Sequence, residues 1–211
     1  MFQIESRNNL GLLRVRQIID VPNHKMDGEY YRQWRLPGKF ENGLYRLETQ
    51  SNDHNCSVEH VITAGRLQGI ELSEERVTSE LKVTSDGVDP DQMHKDMTRM
   101  GIRSYLFENM TVPGLIDLLY GRKFCVIIDY QEPECSIEEK LSGDAGHYAM
   151  AYTVDSSGFI LLGESSYEGS SRIHESELSA HWYDVSLRTG KWFFGTGIVV
   201  PVTYRRKCYV G

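Results

Sequence analysis

From residue 45 onward, apolar and polar positions recur with clear periods. Val58, Val61, Ile62 and Gly65 fall on one helical face, so residues 55–69 read as an amphipathic helix. Asp53 or Asn55 can cap it, and Gly69 can stop it. Ser73 caps a second helix, and Asp89-Pro90 opens a third that runs to Met100-Gly101. Residues 102–107 have strand length, and Thr111 caps a fourth helix ending at Tyr120-Gly121. The second half changes period. Residues 124–130 are a dense apolar run of strand length, and 147–154 alternate. Asp155-Ser156-Ser157-Gly158 is a turn, and 159–163 return as a hairpin partner. A short helix over 176–182 and a strand pair or one long strand over 192–202 complete the pattern. Helices first and antiparallel strands afterwards make an α+β domain.

Residues 1–44 are less regular. Residues 10–19 alternate loosely and could form a strand. Residues 20–44 are polar, with turn signals at Pro22-Asn23, Asp27-Gly28, Pro37-Gly38 and Asn42-Gly43. Tyr30, Tyr31, Trp34 and Phe40 could pin this arm onto a body. The chain therefore divides into an extension of unassigned role (1–44), a domain (45–202) and a tail (203–211) holding Arg205-Arg206-Lys207. At 211 residues, there is room for one ordinary domain plus an extension. Apolar residues make up 40% and charged residues 25%, which excludes extended disorder. The net charge of −7 repels phosphate backbones, so nucleic acid is not the expected ligand. No apolar stretch is long enough for a membrane span. The start MFQIESRNNL lacks the basic-then-apolar form of a secretory signal, which points to a cytoplasmic, reducing compartment. The four cysteines, Cys56, Cys125, Cys135 and Cys208, are too scattered for a disulfide framework.

Candidate chemistry gathers around Cys56. At the start of a helix, unpaired N–H groups and the positive end of the helix dipole favour a thiolate, the nucleophilic form. A buried cysteine acting as a small apolar residue is the plain alternative. His147 opens the alternating strand, where a rigid backbone could hold an imidazole beside a nucleophile. If Asp155 pairs with Gly158, Ala149 faces Glu164, and Glu164 becomes the diagonal neighbour of His147 on the same face. A carboxylate there could fix the imidazole tautomer. A three-residue turn would bring Ser165 to that face instead. Gln50 could donate to an oxyanion together with the backbone N–H of Cys56.

Other residues have plainer readings. His54, Cys56 and His60 have metal-like spacing but no accompanying CxxC or HExxH, so no metal and no cofactor are expected. Cys125 belongs to an apolar strand and reads as core. Cys135 and the surrounding Glu132, Glu134, Glu138 and Glu139 read as a solvated loop. Trp182 and Trp192 read as residues that close the core.

The order of these residues resembles papain-like cysteine peptidases. More narrowly, it resembles the double-glycine-leader, bacteriocin-processing peptidases and their stand-alone relatives. The matching segments are QSNDHNC (50–56), LSEER (72–76), DGVDPDQM (86–93), FCVIIDY (124–130), GHYAMAY (146–152), GFILLGESSYEG (158–169) and RIHESELSAHWYD (172–184). The resemblance implies Cys56 as nucleophile, His147 as general base and acid, Gln50 as oxyanion donor and Glu164 as the acidic member. It also implies a peptide or isopeptide substrate cleaved after Gly. This sequence departs from the family in two places. Ser57 stands where the family has Gly, and Glu164-Ser165 where it has Asp-Pro. A papain-like binding module without catalysis and a thiol acyltransferase share the same residues and remain alternatives.

Overall fold

A computed structural model describes residues 5–6, 13–14, 56–120, 123–133, 135–142, 146–163 and 170–203. Gln50, Glu164 and His54 lie outside the described residues, as does most of the 1–44 arm. The elements, in chain order, are β1 (Glu5–Ser6), β2 (Leu13–Arg14), α1 (Cys56–Arg66), α2 (Glu74–Leu81), α3 (Pro90–Arg99), β3 (Tyr105–Glu108) and α4 (Val112–Leu119). They continue with β4 (Phe124–Gln131), α5 (Ile137–Ser142), β5 (Gly146–Val154), β6 (Phe159–Gly163), β7 (Ser170–His174), α6 (Glu175–His181), β8 (Tyr183–Val185), β9 (Trp192–Phe194) and β10 (Gly197–Pro201).

One sheet runs in the order β1-β2-β3-β10-β4-β5-β6-β7, and β8 and β9 form a separate ribbon. Within the sheet, β2 and β3 pair in parallel and the other neighbours are antiparallel. β4 is apolar almost throughout because both of its faces are covered. On one face Cys125, Ile127, Met150 and Val200 meet Val58, Val61, Met93 and Met97 from α1 and α3. On the other, Val126, Ile128, Ala149 and Val199 meet Leu115, Leu119, Leu178 and Trp182. Each such fully buried aliphatic side chain contributes about 1.5–3 kcal/mol.

The helix caps follow the sequence signals. Ser73 Oγ accepts from the Arg76 N–H at 3.3 Å, Thr111 Oγ1 accepts from Gly114 at 3.2 Å, and Pro90 occupies the first turn of α3. Four expectations need correction. Residues 132–140 are not all solvated loop: α5 begins there, with Ser136 and Glu139 in a reciprocal capping box of 2.7 and 3.2 Å. Strand β7, unannounced by any alternation, pairs along β6. Trp182 is buried, but Trp192 is 40% exposed. The alternation of β9 turns Phe193 inward and leaves Trp192 and Phe194 stacked on the outside.

The fourth correction concerns the β5–β6 hairpin. Val154 pairs with Ile160 and Thr153 with Leu161, so the turn is one residue longer than the tight form. A bulge between Ala151 and Thr153 then absorbs the extra residue, and Ala151 pairs with Leu162 and Met150 with Gly163. Beyond the bulge, the register is the one that the shorter turn would have produced.

Trp182 locks the end of the molecule that carries β8, β9 and the β9–β10 bend. Its Nε1–H donates to the buried Thr196 carbonyl at 2.9 Å, and its own carbonyl accepts from Gly195 at 2.8 Å. Gly195 has φ +52, and a Cβ there would run into the Met110 backbone, so the bend needs glycine. Replacing Trp182 by Phe removes the indole donor and strands a buried carbonyl. We expect a loss of about 1–3 kcal/mol, read as a lower Tm, with alkylation of Cys56 unchanged in the folded protein.

Candidate active site

Cys56 is the first residue of α1 and is partly exposed. The helix is fixed against β5 from one turn further on. His60, fully buried, donates its Nε2–H to the Tyr148 carbonyl at 2.6 Å. A ring nitrogen must carry hydrogen to bond a carbonyl, so this contact sets the tautomer. Tyr148 in turn donates its hydroxyl to the Val88 carbonyl at 2.7 Å, which ties the 84–89 loop to the same strand. The result places the helix tip beside the start of β5, where His147 precedes Tyr148.

The structure thus brings Cys56 and His147 together. The two side chains hydrogen-bond, and backbone groups of Tyr148 and Ser57 also bond the sulfur. Burial works against a thiolate here. The hydrogen bond and charge of His147, with the two backbone bonds, outweigh it and hold the thiol below its ordinary value. His147 is 8% exposed, and its ring meets Tyr130 edge-on at 6.0 Å. Glu132 Oε1 lies 3.9 Å from Nδ1, close enough for charge attraction but too long for a hydrogen bond. Glu132 lies in the loop after β4, as the sequence suggested, with its side chain 43% exposed, and it borders the site.

Two further residues escaped the sequence reading. Asp129 ends the apolar part of β4 opposite Tyr148, and Gln131 lies opposite Gly146. Both share the α1 face of the sheet with Ile127. Asp184, from β8, hydrogen-bonds Asp129 and also accepts from the Gln131 side-chain amide. Its carboxylate presses on Gly146: a Cβ there would lie 2.7 Å from the Asp184 Cγ, so only glycine fits before His147. Burial and the neighbouring carboxylate push Asp129 well above the usual carboxylate range. Burial raises Asp184 to about 6. Two carboxyls in contact in a buried site share a proton rather than both ionising. The Asp at the end of FCVIID was a visible signal, since an acid in an otherwise apolar buried strand requires a partner.

Of the three residues with metal-like spacing, His54 lies outside the described residues. His60 is committed to the Tyr148 carbonyl. Among the described residues, no group of three His, Cys, Asp or Glu is arranged to hold an ion. Cys125 is fully buried in the core, and Cys135 is partly exposed. No described helix is long and apolar enough to cross a membrane.

Similar arrangements occur in solved structures. The peptidase domain of Streptococcus ComA, a bifunctional ABC transporter, superimposes with a TM-score of 0.55 at 14% identity, over 74% of this chain and 98% of that one. A Bacillus anthracis protein described as C39-like gives 0.58 at 9% identity, over 76% and 95%. The fold is that of a C39 peptidase domain. A double-glycine-motif protease from an AMS/PCAT transporter, solved with its leader peptide, gives 0.51 at 14% identity, over 74% and 94%. No family model and no curated protein sequence matches the chain. In this C39-type fold the helices precede the antiparallel core of the sheet, and Cys56 sits at the junction of the two layers.

Two measurements test the electrostatics. The rate of Cys56 alkylation by iodoacetamide should stay high below the pH at which an ordinary thiol, with a value of 9.0, loses reactivity. His147→Ala should move that profile upward. Coincident profiles would remove the His147 contribution. The second concerns Asp184. Its folded value, about 6, lies above the ordinary 3.8, so the folded form holds the proton more tightly. Stability from this group is therefore present below about 4 and is lost as pH rises through 6. Relative to the native protein, Asp184→Asn should gain about 1–3 kcal/mol between pH 4.5 and 7.5, seen as a growing difference in Tm. A pH-independent difference would contradict the assignment.

Proposed function

We propose that the protein is a thiol-dependent cysteine peptidase that hydrolyses a peptide or isopeptide amide. The observation that carries this reading is the hydrogen bond between Cys56, at a helix tip, and His147, at the start of a strand ninety-one positions later, with the thiol held below its ordinary value. The C39-type fold supports it, because the solved domains that share this architecture are peptidases by description.

The Cys56 thiolate attacks the carbonyl carbon of the scissile amide. The backbone N–H of Cys56 and the Gln50 side-chain amide bond the oxyanion that forms. His147, carrying the thiol proton, passes it to the leaving amine as the C–N bond breaks and the thioester remains. His147 then takes a proton from water, whose oxygen attacks the thioester. The acid product leaves, and the sulfur returns to its starting state. Glu164 orients the imidazole in this scheme. Glu132 adds negative charge near Nδ1 and favours the imidazolium.

The leader-peptide complex of the transporter protease makes peptides with Gly before the scissile amide the first substrates to test. Cys56→Ala should abolish amide cleavage while leaving Tm within about 1 °C, because a partly exposed thiol contributes little to packing. Glu164→Gln should lower kcat at least tenfold, and Glu132→Gln by less than threefold. The reverse order would make Glu132 the orienting carboxylate. Cleavage that survives in Cys56→Ala would overturn the peptidase reading.

A further inference from the structure

Beside the Cys56 sulfur lies a cavity of about 270 Å³, bounded by α1, the 85–90 loop, the start of β5 and β8. Four carboxyl groups line it, those of Asp86, Asp89, Asp129 and Asp184, and among the described residues no Lys, Arg or His does. Asp89 is already paired, with Arg188 at 2.7 Å on its far side. Asp129 and Asp184 have no cation among the described hydrogen bonds and ion pairs. Two buried polar groups also await a partner. Ser57 is 1% exposed and Asp129 2% exposed, yet Ser57 Oγ and Asp129 Oδ2 have no hydrogen-bond partner among the described residues. Leaving such groups unpaired is costly unless something binds them.

We infer that this cavity is a subsite for a cationic group of the substrate, the ammonium or guanidinium of a Lys or Arg side chain close to the scissile amide. This rests on the peptidase reading and adds a substrate class to it. An ammonium offers three donors and a guanidinium five, with no acceptor. The residues that line the cavity offer acceptors for such donors: the carboxyl pair of Asp129 and Asp184, and the hydroxyl of Ser57. Charge also argues for a cation, because carboxyl groups line the space beside Cys56 and no cation lines it among the described residues. The walls of the cavity narrow the choice further. Val88, Tyr148 and Phe193 supply apolar surface for the methylene stem that leads to the charge.

The test separates charge selection from catalysis. Cys56 in the native protein is labelled with cationic 2-aminoethyl methanethiosulfonate and with neutral methyl methanethiosulfonate, and the modified Cys56 peptide is quantified by mass spectrometry. The ratio of the two rates, divided by the same ratio for free cysteine, should be at least tenfold. It should fall below threefold in the double variant Asp129→Asn/Asp184→Asn, because either single change leaves one carboxyl to carry the charge. It should be unchanged in Glu71→Gln, which removes an exposed charge outside the cavity. A native ratio within twofold of free cysteine, or an equal fall in Glu71→Gln, overturns the subsite. In parallel, peptides carrying Lys or Arg at each position around the scissile amide are compared with norleucine and citrulline. A tenfold preference in kcat/KM at one position, lost in the double variant Asp129→Asn/Asp184→Asn, supports the inference. A free amine that inhibits as strongly as the Lys peptide binds would assign the subsite to small amines and overturn the side-chain assignment. Charge-selective labelling without cleavage of any peptide would leave the cavity standing and remove the peptidase reading instead.

Discussion

The bond between the His60 imidazole and the Tyr148 carbonyl carries the geometry of the whole site. Tyr148 is used through three of its groups. Its carbonyl holds α1, its backbone bonds the Cys56 sulfur, and its hydroxyl holds the loop that walls the acidic cavity. A single strand residue therefore fixes a helix, a thiol and a loop relative to one another. Buried hydrogen bonds of this sort contribute only about 1 kcal/mol each in net terms, but losing one partner strands the other at full desolvation cost. That asymmetry makes the helix tip a well-defined place rather than a frayed end. A thiol one turn away from a loosely docked helix would not keep the separation that proton transfer needs.

Opposed electrostatic demands meet at that place. The helix dipole, the backbone bonds and His147 favour a negative sulfur. The Asp129–Asp184 pair, on the same face of the sheet, opposes it. The pair is also a burden on folding at neutral pH, because both carboxyls prefer to be protonated in their folded surroundings. Its mechanical contribution is clear, however. Asp184 is held by the Gln131 amide and by Asp129, and it fills the space that a side chain at position 146 would take. The start of β5 is thereby confined between the carboxylate and the helix, and His147 has little freedom to swing away.

Much of this was legible in the chain. The first four helices of the domain, their Ser, Thr and Pro caps, and the central strands follow from periodicity and capping chemistry, which are local. Cys56 and His147 stood out in the sequence because a helix start and a strand start are also local features, and the structure places the two side chains together. What failed to show was long-range or compensating. The hairpin turn is longer than the tight form, and the bulge at Tyr152 cancels the difference, so two deviations leave the register at Ala151–Leu162 and Met150–Gly163 as if neither existed. Strand β7 is defined by its pairing with β6, not by a pattern of its own. The capping box at Ser136 and Glu139 was visible but was hidden among acidic residues that suggest solvent. Asp184 lies more than fifty positions from Asp129, and no sequence period joins an acid on a strand to an acid on a distant ribbon.

The comparisons sharpen where the functional argument must come from. Identities of 9–14% with the solved peptidase domains are enough to keep the layers and their order, yet leave most side chains different. A shared fold then fixes where a cleft will be, not what it will accept. Substrate choice has to be read from the groups that line the cleft in this chain. There, a serine follows the cysteine, its buried hydroxyl has no hydrogen-bond partner among the described residues, and it lines the same cavity as the acid pair. An apolar slot would admit a small neutral residue at little cost. A slot lined by carboxyls and unsatisfied acceptors rejects neutral groups through its own unpaired polarity and accepts a donor-rich cation.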